Sequence, residues 1–379
     1  MTISTHLILV SAQPIPNITP ILDDSLRPQK VVMLVSPDMT ERSQALENIF
    51  KPRGIRIERC TIDNPWDAEH ISDRILDLLA QYPDGGIALN ATGGTKLMSI
   101  AAYEAFRSCE LPIYYIHPEQ DRLLWLSPGK PAQDLADCLR LKDYLMAYGA
   151  EKVDIPEPAG VAEPIRRLTR QLIADIDRYA SELSTLNYLA LNADNPQLTV
   201  EIDSGPQSRP HLWEMLDLFE QAGLCRINGH SLKFVDAQAR FTANGGWLEM
   251  FAYAECLGLK KASGIQDIAC NITISRHPAG KTAVKNEIDI GLIKANRLHL
   301  IECKTKSYRD SAQGADVLYK LDSLRDLMGG LQGKAMLISF NTLDKSSRAR
   351  AKELNITLCS LSELKNLQQQ LKKWLSPNG

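Results

Sequence analysis

The stretch IALNATGGTKLMSIAAYEAF, Ile87 to Phe106, changes period in its middle. An apolar run stops at the small-residue turn ATGGTK, and apolar positions return at Leu97, Ile100, Ala101 and Phe106 with roughly helical spacing. That pattern is a strand, a tight loop and a helix start. Adjacent glycines let a backbone approach a ligand closely, and free N–H groups at a helix start, beside a Thr hydroxyl and a Lys ammonium, seat a phosphate. A Walker A loop separates its glycines by four residues, whereas Gly93, Gly94, Thr95 and Lys96 are contiguous, so ordinary NTP hydrolysis has no support.

Outward from this loop, residues 5–150 repeat a strand-then-helix rhythm. Runs at 6–12, 30–37, 55–62, 85–92 and 111–118 are β-rich, with helical patterns at 40–50, 67–82 and 96–109 between them. Alternation of this kind predicts an α/β fold with a mostly parallel, Rossmann-like sheet. Ligands of such sheets bind beyond the carboxyl ends of the strands, where SAQ (11–13), SPD (36–38) and NATGGTK (90–96) fall. Ser11, Gln13, Ser36, Asn90, Thr92, Gly93, Gly94, Thr95 and Lys96 are therefore the candidate ligand contacts.

With 379 residues, 44% of them hydrophobic, the chain has room for two or three domains. No apolar run reaches membrane-spanning length, and the expected location is the cytoplasm. The eight cysteines form no C-x-x-C pair, which argues against a zinc site or a disulfide framework. The net charge of −3 divides into −11 over residues 1–239 and +8 from Arg240 onward, placing any polyanion at the C-terminal part. EKVDIPEPAGVAEP (151–164) reads as a linker. Helical patterns near 161–193 and 210–223, then a hairpin at 224–234 turning at Asn228-Gly229, read as a winged-helix-like connector. The expected domains are 1–150, a connector at 151–238, and 239–379.

From Val284 the chain reads VKNEIDIGLIKANRLHLIECKTKS, two alternating β-runs around a turn at Ala295-Asn296. A two-residue turn sets Asp289 opposite Glu302 and Glu287 opposite Lys304. The period of two then puts those four on one face, with Ile288, Ile290, Ile301 and Cys303 on the other. Facing carboxylates form an oxygen-rich site for Mg²⁺ or Mn²⁺ at Asp289 and Glu302, with the backbone carbonyl of Cys303 as a further ligand. A lysine beside them orients the attacking water and stabilises developing phosphorane charge, as in a metal-dependent phosphodiesterase.

The order D…E-x-K, carried by Asp289, Glu302 and Lys304, resembles the PD-(D/E)xK, restriction-endonuclease-like nucleases. That resemblance implies a further acid from a preceding helix, for which Glu249 in NGGWLEMFAYAEC is placed, and leaves Glu287 either accessory or paired with Lys304. Joined to the NATGGTK domain, the hairpin resembles the CRISPR-ancillary nucleases that couple a CRISPR-associated Rossmann-fold (CARF) sensor to such an effector. The resemblance implies activation by a cyclic oligoadenylate, cyclic tetra-adenylate in compact members. It further implies a homodimer with the ligand at its CARF–CARF interface, and metal-dependent cutting or nicking of DNA, or of single-stranded RNA, in type III CRISPR defence. Two alternatives stay open: a ring nuclease that degrades its own messenger, and a ligand-controlled transcriptional regulator using the connector.

Overall fold

The computed structural model describes residues 3–157, 160–277, 282–305 and 311–376. Five β-rich runs become the parallel strands β1 (Thr5–Leu9), β2 (Lys30–Val35), β3 (Arg56–Thr61), β4 (Ile87–Asn90) and β5 (Ile113–His117). Leu7, Ile8 and Leu9, like Val31 to Leu34, are buried without alternation, as strands covered on both faces require. Helices α1 (Ile15–Leu22), α2 (Thr40–Phe50), α3 (Ala68–Leu79) and α4 (Lys96–Ser108) supply that cover. Two antiparallel strands, β6 (Arg122–Trp125) and β7 (Gln133–Asp134), extend the sheet to the order β3-β2-β1-β4-β5-β6-β7. Strand order reverses between β1 and β4, so the crevice there opens beyond their carboxyl ends. Helix α5 (Leu141–Ala147) closes the domain.

The segment expected as a linker is partly structural. Its residues Lys152–Asp154 form β8, the edge strand of the C-terminal sheet. The connector follows as α6 (Glu163–Ala174), α7 (Ile176–Asn192), β9 (Thr199–Glu201), α8 (Pro210–Gln221), β10 (Cys225–Asn228) and β11 (Ser231–Phe234). Its hairpin turns at Gly229-His230, one residue later than expected, because Asn228 pairs with Ser231. With φ +59 at its first central position, the turn uses glycine where a primed turn demands it.

The last domain contains α9 (Ala237–Phe241), a π-type turn at Thr242–Gly246, α10 (Trp247–Leu259), β12 (Ile265–Arg276), β13 (Val284–Lys294), β14 (Arg297–Lys304), α11 (Ser311–Gly329), β15 (Lys334–Ser339), α12 (Lys345–Glu353), β16 (Ile356–Ser360) and α13 (Leu367–Trp374). Sheet order is β16-β15-β14-β13-β12-β8. Lys306 and Ser307 of the quoted hairpin, and Pro158 and Ala159 of the expected linker, lie outside the described residues. No helix among the described residues is long and apolar enough to cross a membrane.

The two large sheets share an apolar core. Ile8, Val31 and Met33 of the first sheet belong to one buried cluster with Ile272, Ile288, Leu300 and Leu337 of the second, and Leu141, Tyr144 and Leu145 of α5 belong to it as well. The other face of the second sheet packs Ile290, Ile301, Met336 and Ile338 against the connector, α10 and α13.

A polar clamp pins the β13–β14 turn into the first domain. Ala295 and Asn296 have φ of +47 and +52, the left-handed pair of a type I′ turn. Asn296, 2% exposed, donates from Nδ2 to Asp121 (2.5 Å) and to the Ala136 carbonyl (2.9 Å). Its Oδ1 accepts from the Cys138 and Leu139 N–H groups and from Gln266. Replacing Asn296 by Gly keeps the turn conformation but strands these buried groups, an expected loss of about 3 kcal/mol. Calorimetry should show one unfolding transition for the wild-type chain, shifted down in Asn296→Gly; two separate wild-type transitions would contradict the shared core.

Candidate active site and ligand loop

The β13–β14 hairpin has the expected register, Lys294 opposite Arg297 through Ile290 opposite Ile301. Paired backbone ends there. One step further the Asp289 carboxylate accepts the Cys303 N–H at 2.7 Å, a side chain doing what a strand carbonyl did before it. On the other flank β12 matches Cys270 to Ile290 and Ile272 to Ile288, with Asn271 between them at φ +53. The alternation of faces changes phase at this point: Ile290, Ile301 and Cys303 enter the connector-side core, while Ile288 enters the core shared with the first domain. Ile288 therefore does not share a face with Ile290 as a strict period of two requires.

Lys304 also departs from expectation. Its ammonium pairs with Glu302 and stands 3.9 Å from Asp289, whereas Glu287 is exposed and lies opposite Thr273 on β12. Glu287 acts on this cluster only as a weak, more distant charge.

Glu249 comes from the first turn of α10, aimed by the kink before it. Gly245 has φ +113, and a Cβ there would collide with the Thr305 hydroxyl; a Cβ on Gly246 would lie 2.6 Å from the Phe241 ring. The glycine pair thus permits a close approach of protein to protein. Burial, with the Asp289 charge adding to it, pushes the Glu249 carboxyl up to about 8. Burial and then Glu302 push Asp289 to about 6. Burial disfavours the Lys304 ammonium, but Glu302 and Asp289 outweigh it and hold its pKa above the ordinary value. The Cys303 thiol is buried in the core with its pKa pushed well up, so only its backbone carbonyl is a candidate donor.

No three His, Cys, Asp or Glu side chains among the described residues surround one point closely enough to hold a metal ion. The donor set nevertheless suits a hard dication. Three carboxylates face one ammonium; burial first, and then their mutual charges, raise the pKa values of Glu249 and Asp289, a penalty that a divalent cation would relieve.

In the first domain the candidate ligand residues divide. Asn90, fully buried, donates to the Pro16 carbonyl and to Asn17 and accepts from Thr92. Thr92 accepts in turn from the Ile116 N–H, so both hold the loop from within. Ser36 is buried and hydrogen-bonds Asp38 at 2.5 Å. A Cβ on Gly93 would overlap the Leu9 carbonyl, and Gly94 has φ +73, so both glycines seat the loop on β1. The Gln13 side chain turns away, accepting from the Tyr148 hydroxyl (3.1 Å) and the Leu331 N–H (3.3 Å) of the second domain. Thr95 caps α4 by accepting the Met98 N–H at 3.1 Å. Ser11 is half-buried, its hydroxyl on the Gln13 carbonyl, and Lys96 is exposed, with no acid within 4 Å among the described residues. Ser11, the α4 N-terminus and Lys96 thus remain open to a ligand. The sequence reading missed Trp66, 75% exposed in the loop after β3, whose neighbour Pro65 accepts from Thr95. Its position at a strand's carboxyl end was the available signal.

Comparison with known proteins agrees with this two-part layout. Residues 5–144 match the family model for the Card1 CARF domain, and residues 236–377 that for the Card1-like endonuclease domain. The structure of protein VC1899 from Vibrio cholerae is 31% identical, covers 99% of this chain and 98% of its own, and superposes with a TM-score of 0.92. Can2 from Sulfobacillus thermosulfidooxidans in complex with cyclic tetra-adenylate is 27% identical over 98% of this chain and 99% of that one, with a TM-score of 0.82. A type III CRISPR defence DNA nuclease activated by cyclic oligoadenylate, 18% identical, covers 89% of this chain and 45% of its own at a TM-score of 0.54, a likeness of fold alone. No curated protein matches the chain. Both family models and a full-length relative above 30% identity lead to one conclusion: the chain belongs to the Card1-like CARF endonucleases.

Proposed function

We propose that this protein is a metal-dependent endonuclease of type III CRISPR defence, switched on by cyclic tetra-adenylate and cutting or nicking DNA, with single-stranded RNA as a further substrate. The observation that carries the reading is the cluster of Asp289, Glu302, Lys304 and Glu249 at the point where the β13–β14 ladder opens. Its D…E-x-K order is that of a PD-(D/E)xK nuclease. The Can2 complex supports the choice of ring, since that relative holds cyclic tetra-adenylate.

Asp289, Glu302 and the Cys303 carbonyl, with Glu249 beside them, are the groups that would hold Mn²⁺ or Mg²⁺. When bound, such a cation supplies charge neutralisation and Lewis-acid polarisation of the scissile phosphate. The protein's own share is positioning. The Cys303 N–H fixes Asp289, and Glu302 restrains the Lys304 ammonium, which orients the attacking water and donates to the phosphoryl oxygen as charge develops there.

A ring with two-fold character is best held by a two-fold dimer. Trp66 and Ile100, 75% and 56% exposed, flank the loop that carries Lys96 and suit burial against a second copy. The regulator alternative loses ground on charge. The helix that precedes the connector hairpin, α8, carries Glu214, Asp217 and Glu220 at successive turns, and burial followed by the charges of Glu220 and Glu214 raises the Asp217 pKa. An acidic stripe repels the phosphates a recognition helix must approach.

Incubation with Mn²⁺ and labelled single-stranded DNA, single-stranded RNA or supercoiled plasmid, with and without cyclic tetra-adenylate, tests the proposal directly. Cleavage should require both ligand and metal and fall by about 10³-fold in Asp289→Asn and Glu302→Gln, with ligand affinity unchanged. Retained cleavage in both variants would refute the site. Lys96→Glu should weaken cyclic tetra-adenylate binding by about tenfold or more in calorimetric titration, without lowering the melting temperature.

The raised acids also set a pH dependence. Carboxyls whose folded pKa exceeds the ordinary value bind protons more tightly when folded. Their stabilisation is complete below the ordinary values of 3.8 and 4.5 and is lost as pH rises through about 6 for Asp289 and about 8 for Glu249. In EDTA the melting temperature should fall between pH 5 and 9, and Mn²⁺ should reverse the fall, most at the alkaline end. Glu249→Gln should flatten the upper part of that curve; an unchanged slope would remove Glu249 from the cluster.

A further inference from the structure

Thr305, the residue after Lys304, is buried, and three separate elements meet on it. Asn187 of α7 donates from Nδ2 to its hydroxyl at 3.3 Å. Asn341, beyond β15, donates to its carbonyl at 2.9 Å, while the Phe340 N–H bonds the Lys304 carbonyl at 2.8 Å. Gly245 of the π-type turn lies so close that a single added carbon would strike the Thr305 hydroxyl. One turn beyond Gly246, the same chain delivers Glu249. Thr305 is thus the joint between the strand that carries Glu302 and Lys304 and the helix that carries Glu249.

Asn187 is the connector's contribution to this joint, and its chemistry is revealing. The residue is 8% exposed, and its Oδ1 has no hydrogen-bond partner among the described residues. Leaving a buried amide oxygen unpaired is unfavourable, and a leucine, with the same branching and number of heavy atoms, carries no polar group to leave unpaired. Among the described residues, this amide hydrogen-bonds Thr305. Apolar packing of α7 does not need it, because Leu183, Leu186, Leu189 and Ala190 already bury the helix's inner face.

We infer that Asn187 is a positioning residue for phosphodiester cleavage: by holding the Thr305 hydroxyl against Gly245, it sets Lys304 and Glu302 at working distance from Glu249. The inference rests on the nuclease reading of that cluster. It gives the connector a direct hold on the reaction geometry, distinct from its covalent role between the domains. A side chain that acts only by position changes turnover without changing how tightly substrate or activator binds, and displacement of about 1 Å suffices for a large effect.

The test uses the full chain with Mn²⁺, saturating cyclic tetra-adenylate and the DNA substrate that the wild type cuts. Asn187→Leu should lower kcat by about 10- to 100-fold, leave KM and activator affinity within about twofold, and keep or raise the melting temperature. Thr305→Val should lower kcat to the same extent, with a lower melting temperature because it strands the buried Asn187 amide; Thr305→Ser should retain turnover through its hydroxyl, and the Asn187→Leu/Thr305→Val pair should be no worse in kcat than either single change. Should Asn187→Leu fold poorly, the Val and Ser variants of Thr305 decide alone. Turnover of Asn187→Leu within twofold of wild type overturns the inference, as does a Ser variant no better than the Val variant. A wild-type chain that cuts no nucleic acid at all overturns the nuclease reading itself, and the positioning role with it.

Discussion

One hydrogen-bonded turn holds this molecule together. Asn296 occupies the left-handed corner of the β13–β14 hairpin and engages Asp121, Ala136, Cys138 and Leu139 of the first domain, while Gln266 braces it from β12. From Lys294, the last residue of β13, Asp289 stands five residues back at about 3.3 Å each. The hairpin is therefore a stiff bar roughly 17 Å long with its turn buried in the first domain and its open end in the candidate active site. A second bar runs alongside: α11 starts shortly after β14 and ends at Gly329, whose carbonyl accepts from Tyr144. The next glycine, Gly330 at φ +56, leaves room for Tyr148 and Gln13. Gln13 sits two residues after Ser11 in the loop that faces the ligand crevice. Displacement of that loop meets rigid elements rather than slack chain, the physical condition for a ligand to bias a distant site.

Much of this was legible because period is a strong signal over long elements. The parallel strands of the first domain announce themselves as unbroken apolar runs, and the hairpin register followed from one assumption, a two-residue turn at Ala295-Asn296. What stayed hidden lies where period fails. Lys152–Asp154 is too short to show any alternation, so its strand pairing was invisible. Asn271, with its positive φ, shifts the phase of two strands at once, and no residue pattern on β13 alone announces that. Lys304 prefers Glu302, two residues away on its own strand, to the cross-strand partner Glu287, because the ladder has already opened.

The ligand loop shows a different limit. A polar residue near a strand end serves the backbone as readily as a ligand, and composition does not distinguish the two. Asn90 and Thr92 satisfy buried loop groups, Gly93 makes room for the Leu9 carbonyl, and Thr95 caps a helix, all so that Lys96 and the α4 N-terminus can face outward. The motif is as much a device for building a tight loop as for contacting what the loop holds.

The edge strand β8 also places events in time. It leaves the ribosome with the sensor, yet its partner β12 begins only at Ile265, and the strand carrying Lys304 gains its parallel neighbour after Ser339. At roughly 10 residues per second, on the order of 20 s separates β8 from the completed sheet. A nascent chain thus holds the strands of the first domain well before it owns the second sheet, which completes their shared core. Synthesis order alone keeps the second sheet from existing without the first domain.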